Sequence, residues 1–138
     1  MNVYLDSSVV LRRLQGEPAP LTRWGQWERA YSSVLLRVEV LRTVDRNRLR
    51  GAVSDREASE LITQAHAFFD AVQFVALSDE ILNRAAQSFF TALGTLDALH
   101  LATALRLVEA GSGDLLFLTH DTELALAARS VNFTVEGI

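Results

Sequence analysis

The 138-residue chain has no cysteine, no lysine, two prolines and one methionine. The absence of cysteine excludes disulfides, thiolate nucleophiles and thiolate zinc sites, and it fits a reducing compartment. All 13 basic residues are arginine, which excludes Schiff-base chemistry and the lysine of a phosphate-binding P-loop. No run approaches the ~20 apolar residues needed to cross a bilayer, so no membrane association is expected. Met1 leads straight into "NVYLD" with no basic or long apolar leader, so the expected location is the cytoplasm. With 49% hydrophobic residues the chain is neither disordered nor low in complexity, and its length suits one core and one domain over residues 1–138. A net charge of −4 argues against whole-surface nucleic-acid binding and leaves only a local basic stripe, Arg37, Arg42, Arg46, Arg48 and Arg50. That stripe is either a solvated helix face paired with its own carboxylates or an edge for binding phosphates.

Short apolar runs alternate with helical periodicity. "NVYL", "YSS", "QFVAL", "DLLFL" and "FTV" read as strands. "SSVVLRRL", "VLLRVEVLRTVDRNRL", "SDREASELITQAHAFFDAV", "SDEILNRAAQSFFTAL", residues 95–110 and "TELALAAR" read as helices. Ser54 with Glu57 has capping-box spacing, Ser78 opens the next helix, and Thr95 is the expected N-cap of the helix that follows. "EPAPLTRWGQWERA" reads as a loop and then a short helix, with Leu21, Trp24 and Trp27 packing inward. Such alternation implies an α/β fold, a three-layer α/β/α sandwich around a mainly parallel sheet of about five strands. The apolar stripe of residues 54–72 and the Trp24/Trp27 region serve either the core or an interface.

Four carboxylates stand out against this scaffold. Asp6 and Asp121 each fall where a strand passes into a helix, the edge at which parallel α/β sheets bind ligands, although either residue also suits a helix N-cap. Asp97 lies in the first turn of an apolar helix, where the helix dipole alone favours an acid. Glu39 interrupts the apolar run "VLLRVEVL" and has Arg42 within reach at i+3. If the four converge, their repulsion calls for a cation, and all-oxygen ligands favour Mg²⁺ or Mn²⁺. Such a site suits phosphodiester hydrolysis with water as nucleophile. Beside them, Ser7 and Thr119 either help to arrange the carboxylates or serve as a helix cap and a strand residue. His100 shares a helical face with Asp97 and either bonds a carboxylate or is a satisfied buried histidine. His66, His120, Asp79 and Asp114 have nothing beside them that marks a site.

"VYLDSSVVLRRL", "SSVLLRVEVLRTV", "TLDALHLATAL" and "LFLTHDTELALAA" together resemble the four signature segments of PIN-domain ribonucleases, in order and across essentially the whole chain. The likeness is greatest to the VapC-type toxins of bacterial toxin–antitoxin pairs. That resemblance implies that Asp6, Glu39, Asp97 and Asp121 form an acidic catalytic site for Mg²⁺ or Mn²⁺, with Ser7 and Thr119 supporting it. It also implies an RNA substrate contacted by arginines such as Arg37 and Arg42, a cognate VapB-like antitoxin and a homodimer. A receiver domain would need a lysine, and a haloacid-dehalogenase phosphatase would need a D-x-D pair where this chain has Asp6, Ser7 and Ser8. The remaining alternative is a PIN-like fold that binds partners without catalysis.

Overall fold

Four consecutive residues, Asn2 to Leu5, set the centre of the molecule. In the computed structural model, which describes residues 1–18, 21 and 23–138, they form β1 (Asn2–Leu5), paired in parallel with β2 (Arg29–Ser33) on one side and β4 (Leu115–Leu118) on the other. Adding β3 (Val72–Val75) and β5 (Thr134–Glu136) gives a five-stranded parallel sheet in the order β3-β2-β1-β4-β5. A parallel ladder needs a crossover after each strand. Here the crossovers carry α1 (Ser7–Leu14), α2 (Leu35–Leu49), α3 (Asp55–Phe69), α4 (Asp79–Ala85), α5 (Thr95–Glu109) and α6 (Thr122–Ser130).

Side chains alternate across the sheet and so sort the helices into two layers. Val3, Leu5, Leu116 and Leu118 face a core shared with Val9 and Val10 of α1, Leu36 and Val40 of α2, and Ala65 and Phe69 of α3. Tyr4, Leu115 and Phe117 face the other core, with Leu101 and Ala104 of α5 and Leu124, Ala127 and Ala128 of α6. Tyr4 and Phe117 stack with ring centroids 5.1 Å apart. The α/β/α sandwich is therefore the one expected, with every strand pair parallel.

Three local readings change. Among the described residues of 17–30 there is a turn at 23–25 and no helix, because Gly25 between the two tryptophans takes a positive φ of 81°. Leu21, Trp24 and Trp27 nevertheless pack inward, Trp24 stacking on Phe68 at 5.6 Å, so this region serves the core; residues 19, 20 and 22 of that reading lie outside the described residues. The helix begun by Ser78, whose hydroxyl accepts the Ile81 amide, ends at Ala85 instead of running to Leu93. Residues 86–94 leave the helix so that Phe89 and Leu93 reach the second core, and the Arg84 guanidinium lies 4.2 Å from the Phe89 ring centroid. Gly94, and not Thr95, is the N-cap of α5. In the 54–72 stripe, Ala58, Ala65 and Phe69 are buried while Ile62 is exposed, and Val72 belongs to β3. Ser54 caps α3 as expected. No helix among the described residues is long and apolar enough to cross a membrane.

The chain builds β1, β2 and β3 outward in one direction and then returns to place β4 on the other side of β1. The reversal of strand order between β1 and β4 opens a crevice at their carboxyl ends, the position at which doubly wound sheets take their ligands. Beyond β5, Gly137 closes the rear of this edge with φ at 113°, and a Cβ there would run into the Thr119 carbonyl oxygen. Gly137→Ala is expected to destabilise the fold by about 2 kcal/mol through positive-φ strain and the backbone clash. Chemical denaturation measures this, and an unchanged midpoint would mean that the C-terminal residues do not seat against Thr119.

Candidate active site

Asp6 follows β1 directly and stands at the N-cap position of α1 in extended conformation, yet its side chain caps nothing. Its amide donates to Leu118 O at 3.0 Å, tying it to the end of β4. Its Oδ2 accepts hydrogen bonds from Ser8 Oγ at 2.6 Å and Thr119 Oγ1 at 2.9 Å. Both hydroxyls in turn accept from the loop that carries Asp121, Ser8 from the His120 amide at 2.9 Å and Thr119 from the Asp121 amide at 3.0 Å. The residue is only 4% exposed, and charge-assisted bonds of this kind compensate for the burial of its carboxylate.

Glu39, one turn into α2, has both oxygens engaged: Oε1 lies 2.5 Å from His100 Nε2, and Oε2 accepts Ser7 Oγ at 3.3 Å. The ion pair with Arg42 does not form; Arg42 pairs with Asp45 at 3.3 Å instead. Arg37 turns to the aromatic side of its helix, its guanidinium 5.2 Å from the Phe74 ring centroid. Neither arginine is among the hydrogen-bond partners of the four carboxylates. Asp121 caps α6 through Oδ1, which accepts the amides of Glu123 at 2.9 Å and Leu124 at 3.2 Å. Its Oδ2 has no partner among the described residues.

Asp97, in the first turn of α5, has a half-buried carboxylate with no hydrogen bond among the described residues. Burial is the main reason that its pKa is pushed up to about 6, and the negative charges of Asp121, Asp6 and Glu39 raise it further, against a smaller opposite effect of His100. The four carboxylates thus share one electrostatic neighbourhood although they come from four segments. His100, fully buried, lies between Glu39 and the Tyr4 hydroxyl, which is 2.8 Å from Nδ1. Burial alone would lower the pKa of this ring, but the bond to Glu39 and the charges of Asp6, Glu39 and Asp97 outweigh it and raise the pKa. Tyr4, wholly buried, has its hydroxyl pKa raised, mainly by desolvation.

Of the two hydroxyls singled out in the sequence, Thr119 touches Asp6 and Ser7 touches Glu39. Ser8 was missed; the signal was the second serine of "DSS", which folds back to Asp6 two residues earlier. His100 fulfils both of its readings at once, as a buried histidine that bonds a carboxylate. His66 packs edge-on against Phe69, and His120 Nδ1 contacts Gly137 O at 2.6 Å. Asp79 serves the first turn of α4.

Among the described residues no three His, Asp or Glu side chains are near enough to grip one ion as they stand. The donor chemistry nevertheless fits a hard divalent cation. After hydrogen bonds are assigned, Asp6 Oδ1, both Asp97 oxygens and Asp121 Oδ2 are left without donors, and no sulfur is present. A cation there would also relieve the repulsion that raises Asp97. A cavity of about 560 Å³ lies at the opposite, amino edge of the sheet between Leu105, Val108, Leu115 and Phe133, away from these groups.

Acidic side chains at the β1/β4 switch point of a five-stranded parallel sheet define a doubly wound α/β domain with an acidic edge. The PIN domain model matches residues 3–130, a span that includes all four carboxylates, and the chain belongs to the PIN domain family. It is 29% identical over 138 residues to Ribonuclease VapC47 of Mycobacterium tuberculosis (strain CDC 1551 / Oshkosh), an alignment covering 95% of this chain and 93% of that protein.

Because the folded chain holds the Asp97 proton more tightly than the unfolded chain does, stability falls as pH rises from 3.8 towards about 6, and the whole cost is present above that range. Asp97→Asn is therefore expected to stabilise the metal-free protein at pH 7.5 by ~1 kcal/mol after allowance for solvent screening. That gain amounts to about 2–5 °C in Tm and disappears near pH 4. Thermal melts in EDTA across this pH range measure it; a lower Tm for the variant at pH 7.5 would mean that Asp97 makes a favourable bond.

Proposed function

We propose that this chain is a metal-dependent endoribonuclease, the toxin of a bacterial toxin–antitoxin pair, with a single catalytic domain over residues 1–138. The observation that carries this reading is the unbonded, half-buried Asp97 carboxylate at the switch point of the sheet, its pKa raised first by burial and further by Asp121, Asp6 and Glu39. Membership of the PIN family and likeness to a VapC ribonuclease support it. Asp6, Asp97 and Asp121 would hold Mg²⁺ or Mn²⁺ through their free oxygens, and Glu39 completes the acidic set. When bound, the ion supplies a Lewis acid for the scissile phosphate and a lowered pKa for the attacking water.

The remaining chemistry belongs to the protein. Ser8 and Thr119 hold the Asp6 carboxylate by Oδ2, which leaves Oδ1 without a hydrogen bond, 4.0 Å from His100 Nε2. Asp121 is held in register by its own helix cap. An RNA backbone approaching four carboxylates needs cationic flanks, and Arg37 and Arg42 are the proposed contacts. Arg42's pairing with Asp45 is exposed and worth only about 0.2–1 kcal/mol, so a phosphate exchanges with it readily. An RNA substrate and a cognate VapB-like antitoxin place the protein in the cytoplasm, where it pairs with a second copy.

Purified protein freed of antitoxin is expected to cut RNA with Mg²⁺ or Mn²⁺ and to stop in EDTA. Asp6→Asn, Asp97→Asn and Asp121→Asn should each lower the rate at least ~100-fold, about 2.7 kcal/mol of barrier, with unchanged circular dichroism. Binding of RNA or antitoxin without cleavage under any metal condition would favour a non-catalytic PIN-like binding protein.

A further inference from the structure

The ring of His100 has no solvent exposure and two defined partners, Tyr4 OH at 2.8 Å from Nδ1 and Glu39 Oε1 at 2.5 Å from Nε2. The Tyr4 oxygen accepts the Ser33 backbone N–H at 3.2 Å and keeps both its own hydrogen and a second lone pair for His100 Nδ1. A carboxylate oxygen only accepts, so Nε2 carries the hydrogen that faces Glu39 Oε1, and in the neutral ring Nδ1 accepts from the Tyr4 hydroxyl. Nε2 keeps this hydrogen in the neutral ring and in the imidazolium alike, so the bond to Glu39 survives either charge state. Glu39 belongs to the helix layer on one face of the sheet and His100 to the layer on the other, and their bond joins the two layers across the carboxyl edge. The Ser7 contact at 3.3 Å is longer and comes from a residue that is itself partly exposed, so His100 is the stronger constraint on this carboxylate.

We propose that His100 is a positioning residue of the acidic site: anchored by the Tyr4 hydroxyl, its Nε2–H donates to Glu39 and holds that carboxylate turned towards Asp6 and Asp97. The role assigned to the carboxylates rests on the nuclease reading, whereas the bond and its direction do not. A fixed carboxylate presents its charge to a cation without first losing rotamer freedom, and the histidine acts on the site mainly through Glu39, whose Oε1 lies 2.5 Å from Nε2 against 4.0 Å for Asp6 Oδ1.

The test compares His100→Ala, His100→Gln, Glu39→Ala and the Glu39→Ala/His100→Ala pair by Mn²⁺ binding in electron paramagnetic resonance, RNA cleavage, and ¹H–¹⁵N resonances of the histidine rings. His100→Ala is expected to weaken Mn²⁺ binding and kcat by about 10–100-fold while leaving KM for RNA nearly unchanged. His100→Gln, whose amide donates from nearly the position of Nε2, should recover most of that loss. The double variant should bind and cleave no worse than Glu39→Ala. In metal-free wild type the Nε2–H should exchange slowly with solvent, and fast in Glu39→Ala. Wild-type Mn²⁺ affinity in His100→Ala, an added loss in the double variant, or a ring bearing its hydrogen only on Nδ1 would overturn the proposal. Should His100→Ala fail to fold, His100→Gln and the wild-type resonances decide it. Expected Mn²⁺ and ring results in a protein that cuts no RNA would count against the nuclease reading while upholding the positioning.

Discussion

Like charges gathered beside an apolar core repel one another and resist burial, and the site described here depends on packing that outweighs both costs. The central strand supplies that packing. Val3, Tyr4 and Leu5 are completely buried, as are Leu36, Val40, Leu101 and Leu124 from the layers around them. Each such side chain contributes roughly 1.5–3 kcal/mol on burial, against ~1 kcal/mol for the screened strain on Asp97. The sheet therefore carries an acidic edge as a tolerable local cost, one that a cation would reverse.

The carboxylates are not equivalent, and hydrogen bonding explains why. Asp6 is the most buried, and two hydroxyls wired to the Asp121 loop compensate it. Asp121 spends one oxygen on a helix cap and leaves the other without a partner among the described residues, so capping does not preclude a second role at this position. Glu39 has both oxygens in use and is the most constrained. Asp97 alone lacks a partner among the described residues and absorbs the field of the others. Electrostatic strain thus concentrates on the residue with the most freedom to bind something else.

Much of the fold was legible because its signals are local. The run "LLFL" reads as a strand buried on both faces and forms β4, and Ser54 and Ser78 cap the helices they were expected to open. Misreadings had two causes: the positive φ of Gly25 turned the Trp24–Trp27 segment, and distant packing drew Phe89 and Leu93 out of α4 to fill the second core. At the site, acid at residues 6, 39, 97 and 121 was visible as four chemical oddities in apolar surroundings. The bond from Ser8 to Asp6 and the exchange of Arg42 for His100 as the partner of Glu39 were not, since both follow from side-chain directions set by packing.

By itself the sequence determined the order of the strands and of the helices between them outside the Trp24–Trp27 segment, the parallel α/β class and the four acidic positions, because periodicity, caps and strand ends are written in neighbouring residues. Only the tertiary structure decided which oxygens are free, which residue bears the repulsion and which histidine joins the two helix layers. Glu39 and His100 are 61 residues apart. Their contact exists because β4 returns to the far side of β1 and brings two layers to one edge, and no short-range pattern encodes that return.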